Sequence, residues 1–155
     1  TVNAGAGNDI INGGKGNDYL KGEAGDDIYV FNIGDGDDIV EDYEWNNYGA
    51  QNDRIIFGEG ITAESITFVR SGYDLIINYG EGDRINVKNE YLNSYYGVEY
   101  ITLNDGRELY YTQAEQLIQA MSSFEADSGM TWTEAVENGD ERTTQILNEM
   151  WVKPA

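Results

Sequence analysis

Cysteine and histidine are both absent from the 155-residue chain, and each absence excludes a kind of site. Without cysteine the chain can form neither a disulfide nor a thiolate metal site, which is compatible with either redox compartment. Without histidine it can hold no serine-histidine triad, no histidine-containing zinc finger and no HExxH metalloprotease helix. The sequence also lacks a G-x-S-x-G elbow and a P-loop.

Basic residues are scarce, since 9 Lys and Arg accompany 29 Asp and Glu, giving a net charge of -20. Such a charge opposes compaction by self-repulsion and argues against nucleic acid or anionic lipid as a partner. Aromatic residues are nevertheless plentiful, with 12 tyrosines, so a disordered acidic tail describes the whole chain poorly. We therefore expect bound cations to neutralise part of the charge.

Long apolar runs are missing as well. No run approaches the roughly 18 residues of a membrane span, and the N-terminus has neither the basic nor the apolar region of a signal peptide. If the protein leaves the cell, we expect it to use another route. Because the sequence opens in the middle of a repeat, at Thr1, we also expect it to be a fragment of a longer protein.

A nine-residue repeat fills the beginning of the chain. Three units in register cover residues 4–12, 13–21 and 22–30, and a fourth, over residues 33–40, arrives two residues late. Glycines at the second and fourth positions permit a left-handed backbone, so that carbonyl oxygens can turn inward. An aspartate stands at the sixth position, and short extended residues follow it. Short periods of this kind indicate a stacked solenoid.

Each nonapeptide can form half of an 18-residue coil. In the short strands alternate side chains point to opposite faces, so one residue of each unit faces a common interior. The predicted interior residues are Ile11, Leu20, Tyr29 and Ile39. A three-residue strand is too short to stand alone, and parallel stacking would bury a continuous apolar column between two rows of turns.

The aspartates of stacked turns would form two rows. Asp9 and Asp27 would lie one coil apart on one edge, and Asp18 and Asp38 on the other, at a strand spacing of about 4.8 Å. Unscreened carboxylates at that spacing repel each other. Calcium takes six to eight oxygens at about 2.3 to 2.6 Å, which two adjacent turns can supply, whereas magnesium demands stricter octahedral geometry. We therefore expect calcium between the coils, the alternative being ordinary Asp and Gly turns of a metal-free β-solenoid.

These repeats resemble the glycine- and aspartate-rich nonapeptides of the RTX family, the haemolysin-type bacterial proteins exported by type I secretion. Residues 27–31 and 34–39 are similar to the end of such an array, and residues 53–57 and 73–77 resemble the segment that follows it. The likeness extends to about residue 111. It implies a parallel β-roll in which turn carbonyls and the sixth-position aspartates hold the metal.

The implied calcium ligands lie in all four turns. They are Gly5, Gly7, Asp9, Gly14, Gly16, Asp18, Gly22, Ala24, Gly25, Asp27, Gly34, Asp35, Gly36 and Asp38. Ala4, Glu23 and Ile33 replace glycine, and although carbonyl ligation survives a changed side chain, each makes a left-handed backbone costlier. We expect the displaced fourth repeat to be the imperfect or half-empty site.

The resemblance implies a mainly β fold: a parallel β-roll, or two-sided β-solenoid, with a β-rich C-terminal cap and a short helical tail. We predict a calcium-binding RTX β-roll at residues 1–44, a β-rich cap at 45–111, and a helical tail with a type I secretion signal at 112–155. Alternating segments and the Asn104-Asp105-Gly106 turn predict hairpins in the cap. Thr112 and Thr131 open capping boxes ahead of two helices, and a third helix ends the chain.

Two other segments have open interpretations. The turn at residues 80–83 looks like a shortened calcium turn, but without a neighbour in register a simple turn is favoured. The tail by analogy includes an uncleaved export signal, while a packed helical cap is the alternative, and both can hold.

An aromatic cluster could form a sugar platform or simply pack, and we favour packing. Its members are Tyr43, Trp45, Tyr48, Tyr95, Tyr96 and Tyr100.

The resemblance implies a calcium-binding module that folds on calcium binding after type I secretion, as the C-terminal part of a larger secreted toxin such as a haemolysin, an adhesin or an exoenzyme. The expected partners are calcium ions, the type I secretion machinery and a host-cell receptor or glycan, with no nucleic acid. The alternative is a receptor- or polysaccharide-binding module of an adhesin or carbohydrate-active enzyme. We expect no catalytic residue, because carboxylate pairs such as Asp37 and Asp38 lie within a metal repeat.

Overall fold

Short strands separated by glycine-rich turns form the first part of the molecule. The structure, a computed structural model, describes residues 1–45 and 52–154. The strands of the first part are β1 (Val2–Asn3), β2 (Ile10–Ile11), β3 (Tyr19–Lys21), β4 (Ile28–Phe31) and β5 (Asp37–Val40). Because β2, β3 and β4 each begin directly after a sixth-position aspartate, the repeat spacing sets where these strands start.

Successive strands of the repeats alternate between two sheets. β1, β3 and β5 pair in parallel in the first sheet, and β2 and β4 pair in parallel in the second. Val2 therefore lies opposite Leu20, and Ile10 lies opposite Ile28, two repeats further along the chain. The chain thus changes sheet once in every nonapeptide, as the 18-residue coil requires.

The later strands extend the same two sheets. They are β6 (Arg54–Phe57), β7 (Thr67–Ser71), β8 (Asp74–Asn78), β9 (Arg84–Val87), β10 (Tyr100–Thr102) and β11 (Glu108–Tyr110). The strand order is β1-β3-β5-β9-β8-β7 in one sheet and β11-β10-β6-β4-β2 in the other. β9 joins β5 in parallel, β6 joins β4 in parallel, and β10 joins β6 in parallel. The cap region thus continues the sheets of the repeats.

The predicted hairpins of this region are present. β7 and β8 are antiparallel, with Phe68 opposite Ile77, and β9 continues the antiparallel pairing with β8. β10 and β11 are antiparallel across the Asn104-Asp105-Gly106 turn, where Gly106 has a φ of +91°. Polar turn residues between apolar runs were therefore sufficient to predict the β7–β8 and β10–β11 hairpins, whereas the pairing of β9 with β8 was not predicted.

Three helices follow the last strand within the described residues: α1 (Tyr111–Ser128), α2 (Trp132–Glu137) and α3 (Glu141–Met150). The side chain of Gln113 accepts a hydrogen bond from the backbone of Tyr110 at 2.9 Å, so α1 begins before the predicted cap at Thr112. Thr131 caps α2 as predicted, accepting from the Glu134 amide at 3.2 Å. None of these helices combines the length and apolar character that crossing a membrane requires.

The helices make the fold mixed α/β, which corrects the prediction of a mainly β protein with a short tail. α1 alone has 18 residues. Its apolar face, which includes Leu117, Met121 and Phe124, belongs to the same buried cluster as the strands. Trp151, after α3, stacks on Phe68 of β7 with ring centroids 6.1 Å apart. The prediction erred because caps and apolar spacing mark where a helix begins, whereas its packing depends on the distant sheet.

The core lies between the two sheets. Ile11, Leu20 and Tyr29 are buried, as predicted, but Ile39 is only partly buried and Val40 occupies the interior position instead. The interior residue stands two positions after the aspartate, which is the spacing from Asp38 to Val40. The prediction of Ile39 was therefore wrong by one residue, a shift that moves a strand side chain to the opposite face.

Candidate metal centre

The turns of the repeats have a left-handed backbone at two positions in each unit. At the second position Gly5, Gly14, Glu23 and Gly34 have φ values of +92°, +76°, +75° and +87°. At the fourth position Gly7, Gly16, Gly25 and Gly36 have φ values between +105° and +132°. Glu23 therefore holds the strained conformation that the sequence predicts for it. Ala4 and Ile33 do not have positive φ, so these two substitutions carry no such strain.

Successive turns on each edge lie in direct contact. A Cβ atom on Gly25 would collide with the carbonyl oxygen of Gly7, and one on Gly36 would collide with that of Gly16. The amide of Gly7 donates to the Ala24 carbonyl at 2.7 Å, and the amide of Gly16 donates to the Asp35 carbonyl at 2.8 Å. Such stacking brings the oxygens of two turns close enough to share a ligand.

The sixth-position aspartates meet as predicted. On one edge the amide of Asp9 donates to Oδ1 of Asp27 at 2.8 Å. The Asp27 amide in turn donates to Oδ1 of Asp53 at 2.7 Å, and the Asp53 amide donates to Oε2 of Glu99 at 2.9 Å. We call Asp9, Asp27, Asp53 and Glu99 the acidic ladder. It begins in the repeats and ends in the cap.

The opposite edge has a similar arrangement. The amide of Asp18 donates to Oδ1 of Asp38 at 2.8 Å. Both oxygens of Asp83 accept hydrogen bonds from the fourth repeat, from Gly34 at 2.8 Å and from Gly36 at 3.1 Å. The turn at residues 80–83 therefore has a neighbour in register, contrary to prediction. The pairing of β9 with β5 brings it there, although 47 residues separate Gly36 from Asp83.

Sequence reasoning missed Asp53 and Glu99, and it favoured a simple turn over a shortened calcium turn for the segment that contains Asp83. These three acidic residues occupy repeat-like positions outside the repeats. Each stands one residue before a strand and two residues before a buried isoleucine. Those isoleucines are Ile55, Ile85 and Ile101. The signal in the sequence was an acidic residue two positions before an interior apolar residue, the spacing also found in the repeats.

Several carboxylate oxygens of the turns lack any hydrogen-bond donor. Within the described residues, the buried Oδ2 atoms of Asp9, Asp18 and Asp27 have no partner, and neither has Oε1 of Glu44. Buried polar atoms are normally paired, so an anionic oxygen without a donor in each of three turns is the arrangement expected of a cation-binding site. Carboxylate and carbonyl oxygens are the donors that calcium prefers, and the residues present therefore fit that ion.

The electrostatics of the turns agree with this fit. Burial raises the pKa of Asp27 and that of Asp38 to about 6, against the hydrogen bonds that these side chains accept from backbone amides. Burial also raises the pKa of Asp42 and of Asp53, which lie beside Asp27. A nearby cation would lower all four pKa values, because it favours the charged form.

The predicted ligands fall into two groups, one on each edge. The first comprises Gly5, Gly7, Asp9, Gly22, Ala24, Gly25 and Asp27, and the second Gly14, Gly16, Asp18, Gly34, Asp35, Gly36 and Asp38. The carbonyls of Gly22 and Ala24 each accept one amide of the preceding turn on their edge. A carbonyl oxygen has two lone pairs, so these bonds leave one available to a metal. The ligand set remains a prediction.

Two family models match the chain. Residues 1–29 match the RTX calcium-binding nonapeptide repeat (4 copies). Residues 74–113 match the haemolysin-type calcium binding protein related domain. The first match ends within the third repeat, at residues 22–30, so the displaced fourth unit lies beyond it. The second covers β8 to β11 and the start of α1, the part of the cap that contains Asp83 and Glu99.

Proposed function

Since the chain belongs to the RTX family and binds calcium, we propose that it is a module of a secreted protein that folds when calcium binds. RTX repeats are typical of secreted bacterial proteins. In this proposal the two sheets over residues 1–44 form a parallel β-roll, and the ions lie between its stacked turns. The observation that supports it most directly is the row of orphaned aspartate oxygens at Asp9, Asp18 and Asp27.

Charge explains why folding would wait for the ion. The chain carries a net charge of -20, and folding places its carboxylates in rows at strand spacing. Before export, in a cytosol where calcium is scarce, this repulsion would keep the repeats open. Outside the cell, calcium binds only the folded form and stabilises it by mass action, by roughly 2.7 kcal/mol for each site at a hundred times its Kd. Several sites together would match the whole stability of an ordinary domain.

A calcium titration followed by far-UV circular dichroism tests the proposal on the full chain. We expect an unfolded spectrum in chelator and a cooperative gain of ordered structure as calcium is added. Magnesium at the same concentrations serves as the control. It should produce little change, because magnesium demands strict octahedral geometry, whereas the turns offer flexible oxygen ligands that suit calcium. A spectrum already complete in chelator and unaltered by calcium would refute calcium-gated folding.

The wider context follows from the same proposal. The module would be the C-terminal part of a toxin such as a haemolysin, an adhesin or an exoenzyme, with no catalytic role of its own.

The type I secretion machinery would recognise the helical tail, which is read unfolded and packs on the sheets afterwards. Removing residues 112–155 should abolish export from cells that carry a type I exporter. Export of the shortened chain at the full rate would show that the signal lies elsewhere.

A receptor- or glycan-binding role is the second candidate, and the exposure of aromatic side chains favours it. Trp45 is 58% exposed, and Tyr43 and Tyr95 are 42% and 40% exposed. Tyr43 also contacts Tyr96, with ring centroids 4.8 Å apart. Tyr100 instead packs beneath Arg54, and Tyr48 lies outside the described residues.

A glycan array tests this second candidate. The calcium-loaded chain should retain a sugar that Trp45→Ala releases, since an aromatic face suits the apolar face of a sugar ring. Tyr73→Ala is the matched control, because Tyr73 is 55% exposed, lies on the β7–β8 turn and is not a member of the cluster. An array with no bound glycan, or binding that survives Trp45→Ala, would exclude the platform.

A further inference from the structure

Three buried aspartates meet where the repeats end, and we propose that they bind one calcium ion joining the repeats to the cap. Asp27, Asp42 and Asp53 each place a carboxylate oxygen within 4.8 Å of the others. Their side chains are 0%, 1% and 1% exposed. Only Asp27 belongs to a nonapeptide, so the proposed site, which we call the junction site, is not a site between two repeat turns. It rests on the proposed function in that Asp27 also lines the last repeat turn on this edge.

The orientation of Asp27 points to a ligand in the cluster. Its Oδ1 accepts from the Asp9 amide, but its buried Oδ2 has no hydrogen-bond partner in the described part of the chain. A Cβ atom on Gly22 would collide with this Oδ2 and would lie 2.8 Å from Oδ2 of Asp42. The orphaned oxygen therefore faces the same small space as the Asp42 carboxylate.

Glu44, on the same loop as Asp42, has another buried carboxylate oxygen without a donor in the described part of the chain. The residue is 5% exposed, and its Oε2 accepts from the amide of Gly25 at 3.0 Å. Its buried Oε1 has no donor among the described residues. The loop that follows β5 thus adds two carboxylates, from Asp42 and Glu44, to the side of the repeat turn that no further nonapeptide covers.

The protein's own cations do not neutralise the junction site. Seven of the nine basic side chains form salt bridges within the described residues, and all seven pair with other carboxylates. The remaining two, Lys15 and Lys153, are exposed. Three neutral donors contact the site in the described residues: the Tyr29 hydroxyl donates to Oδ2 of Asp42 at 2.7 Å, the Asp27 amide to Oδ1 of Asp53 at 2.7 Å, and the Asp9 amide to Oδ1 of Asp27 at 2.8 Å. A cation from solution would balance the three buried carboxylates, which without it become neutral only by binding protons.

The donor chemistry identifies the class of ion. Every candidate ligand is an oxygen, and the chain has no cysteine or histidine to favour zinc or copper. Carboxylates from a repeat turn, a loop and a strand start form an irregular set, which suits the flexible coordination of calcium better than the octahedron of magnesium.

An ion at this place would hold three parts of the molecule together. The carbonyl of Asp42 accepts from the Gly97 amide at 3.2 Å, and the Glu44 amide donates to the Tyr95 carbonyl at 2.8 Å. Asp53 immediately precedes β6 and donates its amide to Glu99, ahead of β10. The junction site would therefore make docking of the cap depend on calcium, in addition to folding of the repeats.

Asp42→Asn tests the junction site in the full chain, because Asp42 lies outside every nonapeptide and asparagine can still accept from Tyr29. Isothermal titration with calcium chloride should show one ion fewer than in the parent chain, or a loss of at least tenfold in affinity at one site. Hydrogen exchange at residues 97–102 should lose its protection by calcium, while residues 19–21 keep theirs. Asp127→Asn, an exposed acidic residue on α1, is the matched control and should bind like the parent.

The outcomes separate this inference from the proposed function. If the parent chain binds and folds with calcium but Asp42→Asn and Asp53→Asn bind as many ions equally tightly, the junction site is refuted and calcium-gated folding stands. If the parent binds no calcium, both are refuted. Should either variant fail to fold, crystals of the parent grown with calcium decide the matter: an anomalous peak among the three carboxylates supports the site, and its absence overturns it.

Discussion

Replacing Asp27 by asparagine should change the stability of the chain in opposite directions with and without calcium. The side chain is fully buried, its Oδ1 accepts from the Asp9 amide, and its Oδ2 has no donor among the described residues. Asparagine keeps an acceptor for the Asp9 amide and places an NH₂ group beside the Asp42 carboxylate. The change therefore removes a charge while preserving, or adding to, the hydrogen bonds.

Without calcium the substitution should stabilise the folded chain. Burial, together with the neighbouring charges of Asp9 and Glu44, raises the pKa of Asp27 to about 6 from 3.8. Because the pKa of Asp27 is higher in the folded than in the unfolded chain, its contribution to stability is fully present below about pH 4, where the side chain is protonated in both states. That contribution is lost as the pH rises through 6. At pH 7 the charged side chain consequently destabilises the fold by about 3 kcal/mol, which asparagine should largely recover.

With calcium the sign should reverse. Asp27 lines both the last repeat turn on its edge and the junction site, so asparagine removes an anionic ligand from each. Loss of both sites, each saturated at a hundred times its Kd, costs about 5.4 kcal/mol of the free energy of unfolding, which exceeds the gain of about 3 kcal/mol made without calcium by about 2.4 kcal/mol. The holo variant should therefore be less stable than the parent by an amount similar to the gain without calcium.

Two titrations measure the pair of effects at pH 7. In chelator, trimethylamine oxide is added to drive folding, and Asp27→Asn should reach its folding midpoint at a lower concentration of this osmolyte than the parent. In calcium, urea unfolding is followed by tryptophan fluorescence, and the variant should unfold at a lower midpoint. Asp26→Asn is the matched control, since Asp26 is the adjacent, partly exposed aspartate and its change lowers the net charge equally. A shift of the same sign in both media would refute the reasoning.

Three further substitutions test the turns and the core. Glu23→Gly should raise the free energy of unfolding by about 1 kcal/mol because it relieves a φ of +75°, whereas Glu23→Ala keeps the strain and should gain nothing in chemical denaturation. Gly25→Ala should lower the free energy of unfolding by more than about 2 kcal/mol, since the φ of Gly25 is +132° and an added Cβ would meet the Gly7 carbonyl. Its control is Gly72→Ala, which should cost about half as much because Gly72 has a φ of +62° and no atom within 4 Å of an added Cβ. Trp151→Ala should lower the thermal midpoint through a loss of about 3 to 5 kcal/mol, and a loss below 1 kcal/mol would show that the helices do not share the core.

The repeat segment could be predicted closely because its period encodes backbone and packing together. Positive φ at the second and fourth positions, the aspartate that precedes β2, β3 and β4, and the parallel pairing all follow from the same nine residues. The exception, Val40 in place of Ile39, arose because the interior position was counted wrongly in the displaced repeat. Hairpins were also predictable, since turn residues and alternation are local signals.

The continuation of the acidic ladder could not be found by searching for a fixed period. Its successive members are separated by 18, 26 and 46 residues, because loops of different lengths enter between the coils. Closing a longer loop costs little more than closing a short one, so the sheet register is kept while the sequence period is lost. The junction site was not predicted for a similar reason, since Asp53 reaches Asp27 through the pairing of β6 with β4, and Asp42 reaches both from the loop after β5.

The register of the sheets explains why one ion chemistry would govern both the repeats and the cap. Parallel strands that each begin after an acidic residue must place those residues side by side, whatever the loops between them. Asp53 and Glu99 therefore meet the same repulsion as Asp9 and Asp27, even though no nonapeptide surrounds them. A chain built in this way cannot add a coil without adding a buried charge to the row, and each added charge increases the dependence of the fold on bound cations.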